Sequence, residues 1–274
     1  MQASSLAKKP IGIVKSSTIS DVIRKLLENK LSRLVVLDSG RPIGIISEKD
    51  VGLFLFGNSA KLGLDKIPLE TLVNKIEYVD QNHSAEECAR IMNDKKISSL
   101  CILNGSDIGI FTKTDLVRYY SENYSGRHRV ADYMTHNYVS AHNATPLYKV
   151  VKKMLDHKVS RIITKSQNEQ PDGVVSFRDL FRISIELGDE QDDEGFSLSD
   201  MVRRGFLSES GFGAVSLAKD VMSGGIITVR FDEDLAAACR KMLENNIGGL
   251  GVLDGNGGFA GIISKTDVTR ALVR

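Results

Sequence analysis

Four times the chain places a glycine, a hydroxyl and a carboxylate at three-residue intervals: Gly44-x-x-Ser47-x-x-Asp50, Gly109-x-x-Thr112-x-x-Asp115, Gly173-x-x-Ser176-x-x-Asp179 and Gly261-x-x-Ser264-x-x-Asp267. Each residue type brings its own chemistry. Glycine at a strand end lets a ligand approach the backbone closely. A Ser or Thr three residues on can cap a following helix and donate its hydroxyl to a phosphate, at a helix N-terminus whose exposed N–H groups favour anions. An Asp three residues further is a short acceptor suited to two adjacent ribose hydroxyls. Ser-x-x-Asp is also close to a capping box, a purely structural device, although capping boxes favour Glu or Gln where all four copies have Asp. Capping and binding can coexist.

Other chemistries find little support. Cys88, Cys101 and Cys239 each sit inside an apolar periodic segment with no Cys-x-x-Cys spacing, and read as small core residues. The five histidines, His83, His128, His136, His142 and His157, form no His-x-x-x-His pair, so no catalytic residue and no metal site is expected. Lys and Arg total 36 against 35 Asp and Glu, a formal charge of +1, so no global field draws in nucleic acid or an anionic membrane. Nucleic acid would need a local patch, and short basic runs such as Arg127 to Arg129 and Arg203-Arg204 favour it only weakly. No signal-peptide pattern opens the chain and no run of about 18 uncharged apolar residues occurs, so a soluble cytoplasmic protein is expected. With 42% apolar residues in 274 it can bury a substantial core.

The elements that must position the four signatures repeat with them. The signature glycines are 65, 64 and 88 residues apart. Upstream of each lies a matching block: TISDVIRKLLENKLSRLVVLD, HSAEECARIMNDKKISSLCIL, TPLYKVVKKMLDHKVSRIITK and EDLAAACRKMLENNIGGLGVLD. In the first, Ile19, Val22, Ile23, Leu26 and Leu27 follow helical spacing, which predicts an amphipathic helix with one buried face. Thr18, the pair Ser84 and Glu87, and Thr145 with Pro146 as the first helical residue signal helix starts. An apolar strand, a turn and a second apolar run ending in the signature follow. Each repeat therefore reads strand, helix, strand, strand, helix. This is an α/β (α+β) fold of four small three-stranded sheets with helices on one face, and such repeats must pair.

This architecture and the Gly-x-x-Ser/Thr-x-x-Asp signature resemble the CBS domain, the cystathionine beta-synthase type repeat, in four copies over nearly all of the chain. The resemblance implies that repeats associate about pseudo-twofold axes and that clefts between them bind adenosine-containing ligands such as AMP, ADP, ATP or S-adenosylmethionine. By that resemblance Ser47, Thr112, Ser176 and Ser264 face phosphate, Asp50, Asp115, Asp179 and Asp267 face ribose, and Gly44, Gly109, Gly173 and Gly261 admit the ligand. The expected layout is two modules divided near Gly126. Residues 1–125 hold repeats at about 6–57 and 66–122. Residues 126–274 hold repeats at about 130–187 and 216–274.

The copies also differ. Arg33 and Arg161 occupy matching positions at the start of a core strand, where a guanidinium could grip phosphate bidentately or merely pair with acidic neighbours; Ser99 and Gly249 stand there in the other copies. Gly255, Gly257 and Ala260 formally fit a dinucleotide fingerprint, but they join two strands as a hairpin and do not open a helix. An insertion at 186–213 begins with a dense acidic run from Glu186 to Glu194, either a solvated loop or a gating element.

The sequence therefore predicts a non-enzymatic regulatory protein that senses an adenosine-containing small molecule, needs no other cofactor, and signals to a regulated protein not identifiable from sequence. Its modules are expected to pack on each other or on a second copy as a homodimer, away from any membrane. The alternative is an interaction scaffold docking on protein or RNA, with degenerate or permanently filled clefts.

Overall fold

In the first repeat β1 (Gly12–Val14) runs parallel to β2 (Arg33–Asp38), which pairs antiparallel with β3 (Arg41–Ser47). The helix α1 (Ile19–Glu28) crosses between β1 and β2, and α2 (Glu48–Gly57) follows β3. This order recurs three times in a computed structural model that describes residues 2–57, 63–104, 107–181 and 215–273. The second repeat comprises β4 (Tyr78–Asp80), α3 (Ala85–Asp94), β5 (Ser99–Asn104), β6 (Asp107–Thr112) and α4 (Lys113–Asn123). The third comprises β7 (Ser140–His142), α5 (Leu147–Asp156), β8 (Arg161–Lys165), β9 (Pro171–Ser176) and helical residues 177–181. After α6 (Ala218–Val221) and β10 (Ser223–Gly224), the fourth comprises β11 (Thr228–Arg230), α7 (Leu235–Glu244), β12 (Gly249–Leu253), β13 (Phe259–Ser264) and α8 (Lys265–Ala271). The insertion at 186–213, with its acidic run, lies outside the described residues.

Helical spacing and end signals account for the helices. Ile19, Val22, Ile23 and Leu26 are all buried, each removing apolar side chain worth about 1.5–3 kcal/mol from water. Thr18 and Ser84 cap α1 and α3 in reciprocal boxes with Asp21 and Glu87. The third repeat departs from expectation: Pro146 is the cap of α5 and not its first residue. Its neighbour Leu147 donates its N–H to the Ser216 carbonyl at 2.7 Å, so a strand-like contact replaces the missing side-chain cap.

The compact units do not coincide with the expected halves 1–125 and 126–274. One unit contains residues 1–10, 76–138 and 226–274, hence repeats 2 and 4; the other contains 11–75 and 139–225, hence repeats 1 and 3. The apolar helical faces explain this grouping. Val51 and Leu55 of α2 share a core with Val150 and Met154 of α5, and with Phe177, Leu180 and Phe181. Leu116, Val117 and Tyr120 of α4 share the other core with Cys239 and Met242 of α7 and Val268 of α8.

The segment leading into each repeat's first strand crosses to a different repeat and covers the outer edge of its signature strand. Lys8 bridges to Ile110, Asn74 to Ile45 and Thr135 to Ile262, each by paired backbone hydrogen bonds of 2.7–3.0 Å. Ser223 does the same on β9 as part of β10, opposite Val174, making that sheet four-stranded.

Candidate functional site

The crossing segments explain the signature glycines. A Cβ on Gly44 would lie 2.0 Å from Val73 Cγ1, and one on Gly261 would lie 2.5 Å from the Thr135 carbonyl oxygen. On Gly109 it would meet Ala7 at 2.8 Å, and on Gly173 the Ser223 carbonyl oxygen at 2.8 Å. The close approach expected of a ligand is made here by the chain itself.

The hydroxyls and carboxylates form the capping arrangement in all four copies. Each signature carboxylate offers Oδ2 to both the N–H and the hydroxyl of its Ser or Thr. The N–H distances are 2.7 Å at Ser47, 2.9 Å at Thr112, 2.8 Å at Ser176 and 2.7 Å at Ser264. The hydroxyl distances are 2.5 Å for Asp50 and 2.6 Å for Asp115, Asp179 and Asp267. In this state the hydroxyl proton points at the carboxylate, so donation to a phosphate requires the hydroxyl to rotate.

The other carboxylate oxygen, Oδ1, distinguishes the copies. On Asp115 it pairs with Lys8 Nζ at 3.3 Å. On Asp267 it receives Arg270 and, at 3.3 Å, the Thr135 hydroxyl. On Asp179 it accepts the Ser223 hydroxyl at 3.0 Å. At the matching position of the first repeat, Asn74 gives its amide to the Leu72 carbonyl at 3.1 Å, and Asp50 Oδ1 has no partner among the described residues.

Arg33 and Arg161 stand on β2 and β8 directly opposite Ser47 and Ser176. Opposed residues on antiparallel strands share a face, so Arg33 and Arg161 leave the sheet on the same side as the signature hydroxyls. Ser99 and Gly249 take these places opposite Thr112 and Ser264. Burial lowers the Arg161 pKa from its ordinary value, and the charge of Glu48 opposes that shift. Glu48 itself accepts from Arg178 Nε at 3.0 Å.

Sequence reasoning missed Lys8, Asn74, Thr135, Ser223, Glu48 and Arg178. A signal exists for the first four. They occupy one matched position ahead of each repeat, in AKKP, VNKI, MTHN and MSGG. The three cysteines behave as expected: all are buried, and burial pushes their thiols up to about 12, 11 and 12 at Cys88, Cys101 and Cys239. Two open grooves lie away from the signatures. One, of about 430 Å³, runs between β4 and α3 past Tyr78, Asp80 and Lys95. The other, of about 310 Å³, runs between β7 and α5 past His142, Lys149 and Lys153. Among the described residues no helix is long and apolar enough to cross a membrane.

Comparison with known proteins agrees with this geometry. The CBS domain model matches residues 3–55, 70–122, 130–186 and 218–274. Uncharacterized protein MJ1225 of Methanocaldococcus jannaschii is 22% identical over 279 residues, covering 96% of this chain and 95% of the relative. Its crystal structure, described as that of a proposed archaeal homologue of g-AMPK, superposes with a TM-score of 0.81 at 20% identity over 99% of both chains. An uncharacterised conserved protein from Pyrococcus horikoshii superposes with a TM-score of 0.64 at 18% identity over 100% of both.

Proposed function

Because the chain belongs to the CBS domain family, we propose that it is a regulatory protein that binds an adenosine-containing ligand, AMP, ADP, ATP or S-adenosylmethionine, and passes the change to a protein partner. One observation carries this reading: Arg33 and Arg161 stand opposite Ser47 and Ser176 on neighbouring strands, on the face of the sheet that also carries the signature hydroxyl and leads to a half-buried Asp at a helix start. A guanidinium, a hydroxyl and helix N–H groups suit a phosphate, and the carboxylate suits the sugar hydroxyls. Phosphate binding competes with capping for the Ser hydroxyl, so occupancy changes the start of α2 and of the helix after Ser176. Those helices carry Val51, Leu55 and Phe177 of the shared core, which gives a bound nucleotide a mechanical route into the unit.

Thermal unfolding with and without AMP, ADP, ATP and S-adenosylmethionine tests the reading. A ligand at 100 times its dissociation constant stabilises the fold by about 2.7 kcal/mol, a plainly measurable shift. No shift with any of the four at millimolar concentration would refute it.

A further inference from the structure

The four signatures are alike in sequence but differ in what their aspartates hold. Oδ2 is engaged by the cap in every copy, so a ligand's hydroxyls have Oδ1 to address. In repeats 2 and 4 a cation already holds it, Lys8 on Asp115 and Arg270 on Asp267, and both carboxylate side chains are only 5% exposed. A sugar hydroxyl there would displace an ammonium or guanidinium from a buried carboxylate and leave its charge uncompensated. In repeats 1 and 3 no ion pair to Oδ1 occurs among the described residues. Asp179 Oδ1 accepts a neutral hydroxyl from Ser223, an interaction that a sugar hydroxyl reproduces in kind, and Asn74, at the position matching Ser223, gives its amide to the Leu72 carbonyl.

A second, independent difference runs the same way. The strand position facing the signature hydroxyl carries arginine in repeats 1 and 3, Arg33 and Arg161, and carries Ser99 and Gly249 in repeats 2 and 4. Among the described residues, an arginine at the strand position for phosphate and a carboxylate without an ion pair for sugar therefore occur together in one unit, and the matched positions of the other unit hold neither. Resting on the nucleotide reading above, we infer that repeats 1 and 3 supply the anchoring groups for phosphorylated nucleosides, through Arg33, Ser47 and Asp50 and through Arg161, Ser176 and Asp179. Repeats 2 and 4 use Asp115 and Asp267 as structural ion-pair partners. The chain then takes no more than two equivalents of a nucleoside monophosphate.

Titration calorimetry of the full chain with AMP, paired with melting temperatures, tests this on the variants Asp50→Asn, Asp179→Asn, Asp115→Asn and Asp267→Asn, which keep an acceptor for the cap. Asp50→Asn and Asp179→Asn should each weaken AMP binding at least tenfold at one site while changing the melting temperature little. Asp115→Asn and Asp267→Asn should lower the melting temperature by about 2–4 °C or more and leave AMP affinity within twofold. If either of the latter fails to fold, Lys8→Gln or Arg270→Gln is read in its place: unchanged AMP affinity supports the assignment, and a tenfold loss overturns it. AMP binding with the reverse ranking overturns this assignment alone, whereas absence of AMP binding by the unaltered chain removes the nucleotide reading and this assignment together.

Discussion

The unit of repeats 2 and 4 and the unit of repeats 1 and 3 bring matching helices together by different chemistry. In the first, the contact is reciprocal: Lys113 Nζ donates to the Thr266 hydroxyl at 3.1 Å and Lys265 Nζ to the Thr114 hydroxyl at 3.0 Å, as a pseudo-twofold relation requires. Asn93 and Thr269 add a side-chain pair at 2.8 Å. In the second unit the same positions hold Glu48, Lys49, Phe177 and Arg178, and the symmetry is lost. Phe177 lies against Gly52, where a Cβ would come within 2.3 Å of its ring, and a Glu48–Arg178 ion pair bridges the repeats. One signature, repeated four times, thus sits in two environments: a symmetric one with reciprocal lysine contacts whose carboxylates pair with cations, and an asymmetric one whose carboxylates make no ion pair among the described residues.

The largest break in that comparison comes from Phe177. It is 1% exposed, and Phe177→Ala should cost about 3–5 kcal/mol by calorimetric or denaturant unfolding. Lys265→Ala, at the matching position of the other unit, should cost less, about 1 kcal/mol, because it removes a part-buried polar contact and no buried ring. Equal costs would erase the contrast between an apolar and a polar contact.

Next in size are two carboxylates, one in each unit. Glu48→Ala leaves Arg178 and Arg161 close together without their shared anion, and should cost about 1–2 kcal/mol, between the values for exposed and buried pairs. In the other unit Glu86 accepts the hydroxyls of Tyr119 at 2.8 Å and Tyr124 at 2.6 Å. Burial pushes the Glu86 carboxyl up, but the Tyr124 and Tyr119 hydroxyls together outweigh it and hold it below its ordinary range. Glu86→Gln should cost about 1–2 kcal/mol. Had Glu48→Ala no effect on stability while Glu86→Gln kept its cost, the ion pair would not hold repeats 1 and 3 together.

The smallest effect is shared by both units and sharpens the comparison by its sameness. The Thr18 backbone N–H holds Asp21 below its ordinary value, and the Ser84 N–H does so for Glu87. A carboxyl depressed in the folded state stabilises above its unfolded pKa, near 4, and that contribution fades as pH falls through the folded value. Melting temperatures should therefore be flat from pH 7 to about 5 and fall below about pH 4. A decline already complete at pH 5 would show that other groups control acid unfolding.

Much of the fold was legible in the sequence because the repeat is local. Helical spacing in ISDVIRKLLE, the caps at Thr18 and Ser84, and two apolar runs ahead of each signature specify the strands and first helix of a repeat without help from distant residues, whereas the fourth strand β10 on β9 comes from a distant segment. The grouping of repeats was not legible, since four similar apolar stripes do not say which pairs with which; Phe177 facing Gly52 and Lys113 facing Thr266 decide it, and both are long-range. The signature was legible as a pattern but its glycines were misread, because the groups that crowd them, Val73, Ala7, Met222 and Thr135, come from segments far along the chain. The partners of the aspartates were hidden for the same reason: Lys8 and Asp115 lie in different repeats, and nothing in the sequence around either marks the pairing.

The most direct test of the account is the stoichiometry of AMP on the unaltered full chain, measured by titration calorimetry. Saturable heat with micromolar or tighter affinity and no more than two equivalents per chain is the expected result. Three or four equivalents, or no saturable heat at all, would contradict it.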